Sequence, residues 1–316
     1  MDEERTLLKK LTIALAGLVA ANLLVGAGSL RAETNALSNV RSWAYQLQDI
    51  DAATIRTSPY DLAVVDYGFD KRNSIPHEIV DQMRVKRDGS RRFVLAYLSI
   101  GEAENFRSYW KPSWLTNRPE WLESENPNWP GNFPVQYWHP DWQSLMFGSP
   151  GAYLDRIIQS GFDGVYLDGI DKFEQWKKRR PTAGSDMVDF VVKIAAYARR
   201  QHKDFLIVPQ NGDELLEDPR LLPVIDGYAR EDLLYSEDDE GVRNRPDSIS
   251  ESVTRLKTVT NAHKPVLVVE YPTRQELGAS LLREIKSFGF VGYIADRALK
   301  TLSPPIDGCG QPDCLR

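Results

Sequence analysis

The side chains with the clearest chemical potential are acids that close apolar runs. Gly161-Phe162-Asp163-Gly164-Val165-Tyr166-Leu167-Asp168-Gly169-Ile170-Asp171 is a short apolar run opened by glycine and ended by carboxylates, the pattern of a buried parallel strand. Asp168 falls at its C-terminal end, which in a barrel of parallel strands is the end where chemistry is done. A lone acid there could simply cap the next helix. Repetition favours more than a cap: other strand-like runs end at Asp66 and Tyr67, at Glu102 beyond Tyr97, at Asn211, at Glu231, at Glu270 and Tyr271, and at Asp296. Carboxyl groups gathered in this way suit glycoside hydrolysis, which needs one protonated group to assist the leaving oxygen and one ionised group to attack or to activate water. Crowding supplies the protonated member, because like charges close together resist joint ionisation.

Strands and helices must alternate to bring those acids to one rim. Strand signals cover Ser42–Leu47, Leu62–Gly68, Phe93–Ile100, the run ending at Asp168, Phe205–Gly212, Ile225–Asp232, Pro265–Tyr271 and Val291–Asp296. Between them, an amphipathic turn at Ile50–Ile55 and helical patterns at Pro76–Val85, Tyr153–Ile158, Met187–Arg200, Ile249–Val259 and Gln275–Phe288 return the chain. Eight such units in this length predict an α/β protein, a single-domain (β/α)8 TIM barrel over residues 40–300. From Tyr109 to Trp142 the periodicity lapses and Trp110, Trp114, Trp121, Trp129, Trp138 and Trp142 crowd a long βα loop after the third strand. Long loops in compact domains are commonly functional, and exposed aromatic faces there, Trp138 and Trp142 among them, would stack on sugar rings. The acidic stretch Ser236–Glu240 reads as a solvated loop.

Composition narrows the partners. The chain has 316 residues, 45 acids against 39 bases and a net charge of -6, which disfavours nucleic acid and suits a neutral or cationic ligand. No GxGxxG, P-loop or GxSxG motif occurs, so nucleotide and serine-hydrolase chemistries lack support. Two cysteines and four scattered histidines give no metal-ligand spacing, and a two-carboxylate reaction requires no cofactor. Lys9-Lys10 precede an uncharged run, Leu11–Gly28, and then Ser29-Leu30-Arg31-Ala32. Residues 1–32 therefore read as a signal peptide cut after Ala27 or Ala32, or as a retained membrane anchor; either predicts a secreted or periplasmic domain. In an oxidising compartment Cys309 and Cys314, in the tail 301–316, would close a local disulfide.

Four ordered motifs carry a family resemblance: Val165-Tyr166-Leu167-Asp168, Ala96-Tyr97-Leu98-Ser99-Ile100-Gly101-Glu102-Ala103-Glu104, Tyr137-Trp138-His139-Pro140-Asp141-Trp142 and Gly227-Tyr228-Ala229-Arg230-Glu231-Asp232-Leu233. Together they resemble glycoside hydrolase family 114, the endo-α-1,4-polygalactosaminidases, over most of Ser42 to Asp296. The resemblance implies a TIM-barrel endo-hydrolase of galactosamine-rich exopolysaccharide, with catalytic carboxylates after the fourth and sixth strands, positions that match Asp168 and Glu231. The familiar sixth-strand segment sets its glutamate in a less charged context, whereas Arg230 and Asp232 flank Glu231 here; alternation along a strand would turn both flanking side chains to the other face. On this reading Glu231 is the acid/base and Asp168 the nucleophile or electrostatic stabiliser, with exchanged roles left open. Asp66, Tyr67, Tyr97, Glu102, Trp138, Trp142, Asp171, Asn211, Glu270, Tyr271 and Asp296 would shape the pocket. The alternative expectation is a barrel that binds polysaccharide without turning it over.

Overall fold

A computed structural model of the chain describes residues 35–70, 73–236, 241–272 and 277–306. The N-terminal apolar run, the end of the acidic stretch and both cysteines lie outside these residues. Eight parallel strands form the centre: β1 (Trp43–Gln46), β2 (Leu62–Val65), β3 (Phe93–Ser99), β6 (Gly164–Asp168), β7 (Leu206–Pro209), β8 (Tyr228–Glu231), β9 (Val266–Glu270) and β10 (Val291–Ile294). Two short strands, β4 (Glu102–Glu104) and β5 (Asn132–Pro134), pair as an antiparallel hairpin above β3. The parallel strands run in two hydrogen-bonded arcs, β1-β2-β3-β6-β7 and β8-β9-β10. β7 and β8 meet at a parallel bridge between Gln210 and Ala229, where the Asn211 N–H donates to the Ala229 carbonyl at 2.9 Å. On the other side Trp43 of β1 donates its indole N–H to the Val291 carbonyl of β10 at 2.9 Å. The result is the (β/α)8 barrel expected from the eight strand signals.

The helices form the outer layer: α1 (Ala52–Thr57), α2 (His77–Arg84), α3 (Pro140–Met146), α4 (Tyr153–Gln159), α5 (Phe173–Trp176), α6 (Ala183–Gln201), α7 (Pro246–Asn261) and α8 (Gly278–Ser287). The α6 helix is the longest, and its stripe Met187, Val188, Val191, Ile194, Ala195 and Ala198 is buried, each large side chain contributing roughly 1.5–3 kcal/mol by leaving water. Between β7 and β8 the crossover is made by two 3-10 turns, Asp213–Glu217 and Leu222–Val224, in place of an α-helix. Among the described residues no helix is long and apolar enough to cross a membrane.

The strands are buried on both faces, so their two-residue alternation decides what each side chain meets. Tyr45, Val64, Leu95, Tyr166, Val208, Ala229 and Val269 fill the barrel interior. Ala63, Val65, Val94, Ala96, Val165, Ile207 and Val268 pack against the helices. Continuing each series past the strand end aims Asp66, Tyr97, Asp168, Gln210, Glu231 and Tyr271 inward, and Tyr67 and Glu270 outward. The ends of β3 and β6 also approach closely: a Cβ on Gly101 would stand 2.0 Å from the Gly169 carbonyl oxygen. Gly169 itself has φ +76°, a conformation that costs glycine little.

Most of the tryptophan-rich segment packs inward and extends the core between the strands and the helices. Trp114, Trp121 and Trp142 are buried, in edge or tilted contact along the series Trp110–Trp114, Trp114–Trp121 and Trp121–Trp142. The Trp142 indole N–H donates to the Ile100 carbonyl at 2.9 Å. A long loop with few ladder hydrogen bonds must bury apolar area to offset the entropy of being ordered, and these rings supply it. Trp129, 43 % exposed, is the tryptophan left facing the active end of the barrel.

Candidate active site

Asp168 ends β6 and Glu231 ends β8, with β7 between them, so both carboxylates project from the same rim of the barrel. Gln210, one residue past β7, lies beside Asp168 because Leu167 pairs with Pro209 in the parallel ladder. Its Nε2 donates to Asp168 Oδ1 at 3.0 Å and also to Glu231 Oε2. Two oxygens that accept from one nitrogen, here Asp168 Oδ1 and Glu231 Oε2, cannot be more than about 6 Å apart. Asp168 Oδ1 takes a second bond from the Gly169 N–H at 2.8 Å, and Oδ2 accepts from the Tyr97 hydroxyl at 2.5 Å. Glu231 Oε1 accepts from the Tyr271 hydroxyl. Asn211 holds the Glu231 backbone by accepting its N–H at 3.0 Å on Oδ1. It does so from a left-handed backbone, φ +63°, which asparagine tolerates better than most residues.

An open cleft of about 340 Å³ surrounds the pair. Its lining includes seven carboxylates, Asp66, Glu102, Glu104, Asp168, Asp171, Glu231 and Asp232, against the cations Arg107, Lys172 and Arg297. Arg107 is buried and donates from Nη1 to both oxygens of Asp66, at 2.7 and 2.9 Å, and from Nε to Glu104 at 2.6 Å. Its guanidinium lies over the rings of Tyr67, Tyr97 and Tyr153. Burial pushes the Glu102 and Glu104 carboxyls up, against the pull of Lys172 and Arg107 respectively. Burial likewise lifts Asp171 to about 6. The hydroxyls of Tyr45, Tyr97, Tyr166 and Tyr271 are raised well above their usual value, first by burial and then by neighbouring carboxylates. They therefore stay neutral and can donate. Arg297 clamps Asp232 at 2.6 and 2.9 Å and stacks over the Tyr271 ring at 4.2 Å. Among the described residues no group of three His, Cys, Asp or Glu side chains is placed to hold a metal ion.

Of the expected site residues, the structure brings Asp66, Tyr97, Glu102, Asp168, Asp171, Asn211, Glu231 and Tyr271 into one cleft. The others fall elsewhere. Tyr67 faces the helix layer, where its ring meets Tyr153 edge-on at 4.6 Å. Glu270 is fully buried on the outer face of β9 and accepts the Leu234 N–H at 2.7 Å; it holds the loop after β8. Trp142 is core, and Trp138 packs between Tyr137, Trp176 and Arg180. Asp296 caps the turn after β10 through Lys300 and Thr301. The residues flanking Glu231 also part company. Arg230 faces outward toward Asp213, 3.7 Å away, as alternation predicts; Asp232 does not, because its left-handed φ of +52° swings it back to the cleft. Nothing in the sequence motifs marks Gln210, Arg107 or Arg297, and Trp129 stands there only as one of six crowded tryptophans. For Gln210 alternation alone carries a signal, since it follows Val208 by two at a strand end.

Paired carboxylates at the C-terminal rim of a parallel barrel are the equipment that glycoside hydrolysis needs. The model of glycoside-hydrolase family GH114 matches residues 27–312, and the chain belongs to that family. It is 38% identical to an uncharacterized protein of Methanocaldococcus jannaschii over 83% of this chain and 78% of that one. To an uncharacterized protein of Deinococcus radiodurans it is 38% identical over 84% of each. Among solved structures, the glycoside hydrolase domain of PelA from Pseudomonas aeruginosa matches with TM-score 0.66 at 17% identity, covering 85% of this chain and 100% of that one. Ega3 of Aspergillus fumigatus, in complex with galactosamine, matches with TM-score 0.61 at 16% identity, covering 84% and 95%. At such identities the likeness speaks to the fold.

Proposed function

We propose that this glycosidase is an exported endo-hydrolase of galactosamine-containing polysaccharide and that Asp168 and Glu231 are its two catalytic carboxylates. The observation that carries the reading is the shared Gln210 amide, which holds one oxygen of each acid within about 6 Å of the other at the floor of an acidic cleft. Two carboxyl groups that share one amide nitrogen are close enough for the retaining mechanism, in which the pair stands about 5 to 5.5 Å apart. Asp168, oriented by three donors, attacks the anomeric carbon; Glu231 protonates the leaving oxygen and then deprotonates the incoming water. The seven carboxylates of the cleft suit a polymer bearing ammonium groups, and the galactosamine bound to Ega3 points to the same sugar class. Trp129 offers a ring face, and Asp66, Glu102, Asp171 and Asn211 offer hydroxyl and amine partners. Endo action follows the family resemblance. Export is supported by the uncharged run Leu11–Gly28 behind Lys9-Lys10.

Reducing-end release from partly deacetylated galactosaminogalactan tests the reading. The purified protein is expected to shorten the polymer, and Asp168→Asn to lower kcat at least about 1000-fold at unchanged thermal stability. Binding without shortening would sink the assignment of substrate. An anomeric product first released in the inverted configuration would sink the retaining mechanism.

A further inference from the structure

Gln210 is 1 % exposed and lies outside the lining of the cleft, yet it contacts both candidate carboxylates. The orientation of its amide is set by chemistry: turned over, its oxygen would face two carboxylates with nothing to donate. As placed, the two hydrogens of one NH2 group serve one acid each. The carbonyl Oε1 is buried and has no hydrogen-bond partner among the described residues. A buried amide that leaves its own oxygen unsatisfied costs stability, so the fold does not gain from this residue in the usual way.

We infer that Gln210 is a positioning residue of the hydrolytic reaction: its single amide nitrogen sets the separation of Asp168 and Glu231 and lets two like charges share the rim. The inference rests on the reading that these two acids are the catalytic pair. A neutral group with two hydrogens is the type of side chain that can do this. Lysine or arginine would neutralise one acid, a hydroxyl has one hydrogen, and asparagine is one methylene too short to span both from this backbone position. The groups around the pair divide into neutral phenols and charges. Tyr45, Tyr97, Tyr166 and Tyr271 are the phenols. Arg297 adds positive charge at Glu231, and Glu102, Glu104 and Asp171 add negative charge near Asp168. Of these, Tyr97 donates to Asp168 and Tyr271 to Glu231.

Gln210→Leu keeps the volume and removes both hydrogens; Gln210→Asn keeps the amide and loses the reach. Both are expected to lower kcat about 100-fold, with KM within about threefold. The acid limb of the pH–rate profile, which reports the pair as a unit, should move up by about one pH unit. A second arm needs no substrate: carboxyl 13C NMR titration of the free protein should show the same upward displacement in either variant. Because leucine leaves no unsatisfied oxygen, its unfolding midpoint should fall little or rise. The inference is overturned if a folded variant keeps wild-type kcat, if the loss is all in KM, or if the carboxyl titration does not move. Failure of the wild-type protein to cut the polymer overturns the proposed substrate instead, and the NMR arm still decides the role of Gln210.

Discussion

At the scale of single residues, the site works through hydrogen bonds that fix two acids rather than through many contacts to one. Tyr271 illustrates the division of labour, since its hydroxyl donates to Glu231 while its ring lies under Arg297. Tyr271→Phe keeps the ring and drops the donor. Its expected effect is a kcat lowered about tenfold with KM nearly unchanged, the signature of an interaction made to the reacting apparatus rather than to the bound sugar. Steady-state kinetics on a defined galactosamine oligomer would show the split. Trp129 belongs to the other kind: exposed and in the cleft, it should affect KM when replaced by alanine and leave kcat alone. Stacking was foreseen for Trp138 and Trp142 as well, yet both pack inward, because sequence shows an aromatic ring and not which side of it is covered.

At the scale of elements, the strand ends and the loops leaving them carry the precision. β3 and β6 pass so closely at Gly101 that an added methyl group meets the Gly169 carbonyl, a backbone atom with nowhere to go. Gly101→Ala should therefore cost about 1–3 kcal/mol of stability, read as a lower urea midpoint, and should reduce activity because Asp168 and Glu102 adjoin the displaced backbone. The loop after β8 depends on Glu270, whose two oxygens accept the Leu234 and Tyr235 N–H groups. Burial pushes this carboxyl up from 4.5 to about 7 despite those bonds. The folded state thus holds the proton more tightly than the unfolded chain. Its stabilising contribution is full below about pH 4.5 and is lost as pH rises through about 7, an effect of roughly 3 kcal/mol. Glu270→Gln, neutral at every pH, should remove that dependence. Thermal midpoints from pH 4 to 9 should show the wild type losing stability between about pH 4.5 and 7 and levelling off above, while the variant shows no such step.

At the scale of the molecule, the cleft gathers more carboxylates than cations. A net charge of -6 is modest for 316 residues, but seven carboxylates and three cations line one opening, and clefts concentrate such a field. If the substrate is a polyammonium chain, raising ionic strength from about 0.02 to 0.5 M shrinks the Debye length from roughly 20 Å to below 5 Å. KM should then rise severalfold at nearly constant kcat. A fully N-acetylated polymer carries no such charge, and its KM should not respond. Equal salt sensitivity of both polymers would remove electrostatic attraction from the account of specificity.

The barrel and its acidic rim can be read from residue order alone. Eight apolar runs with helical returns between them admit few arrangements, and the acids at the run ends had to share one edge, since parallel strands all point the same way. Alternation by two was likewise legible, and it separates Asp168, Glu231 and Gln210 from Glu270 and Tyr67 once strand ends are known to the residue. Three features needed the folded chain: Gln210 reaches across from β7 to both acids, a left-handed turn returns Asp232 to the cleft, and most of the tryptophans face inward. The reason is common to all three. Each depends on distances between residues far apart in the chain or on a backbone angle, and neither is written in residue type or local period.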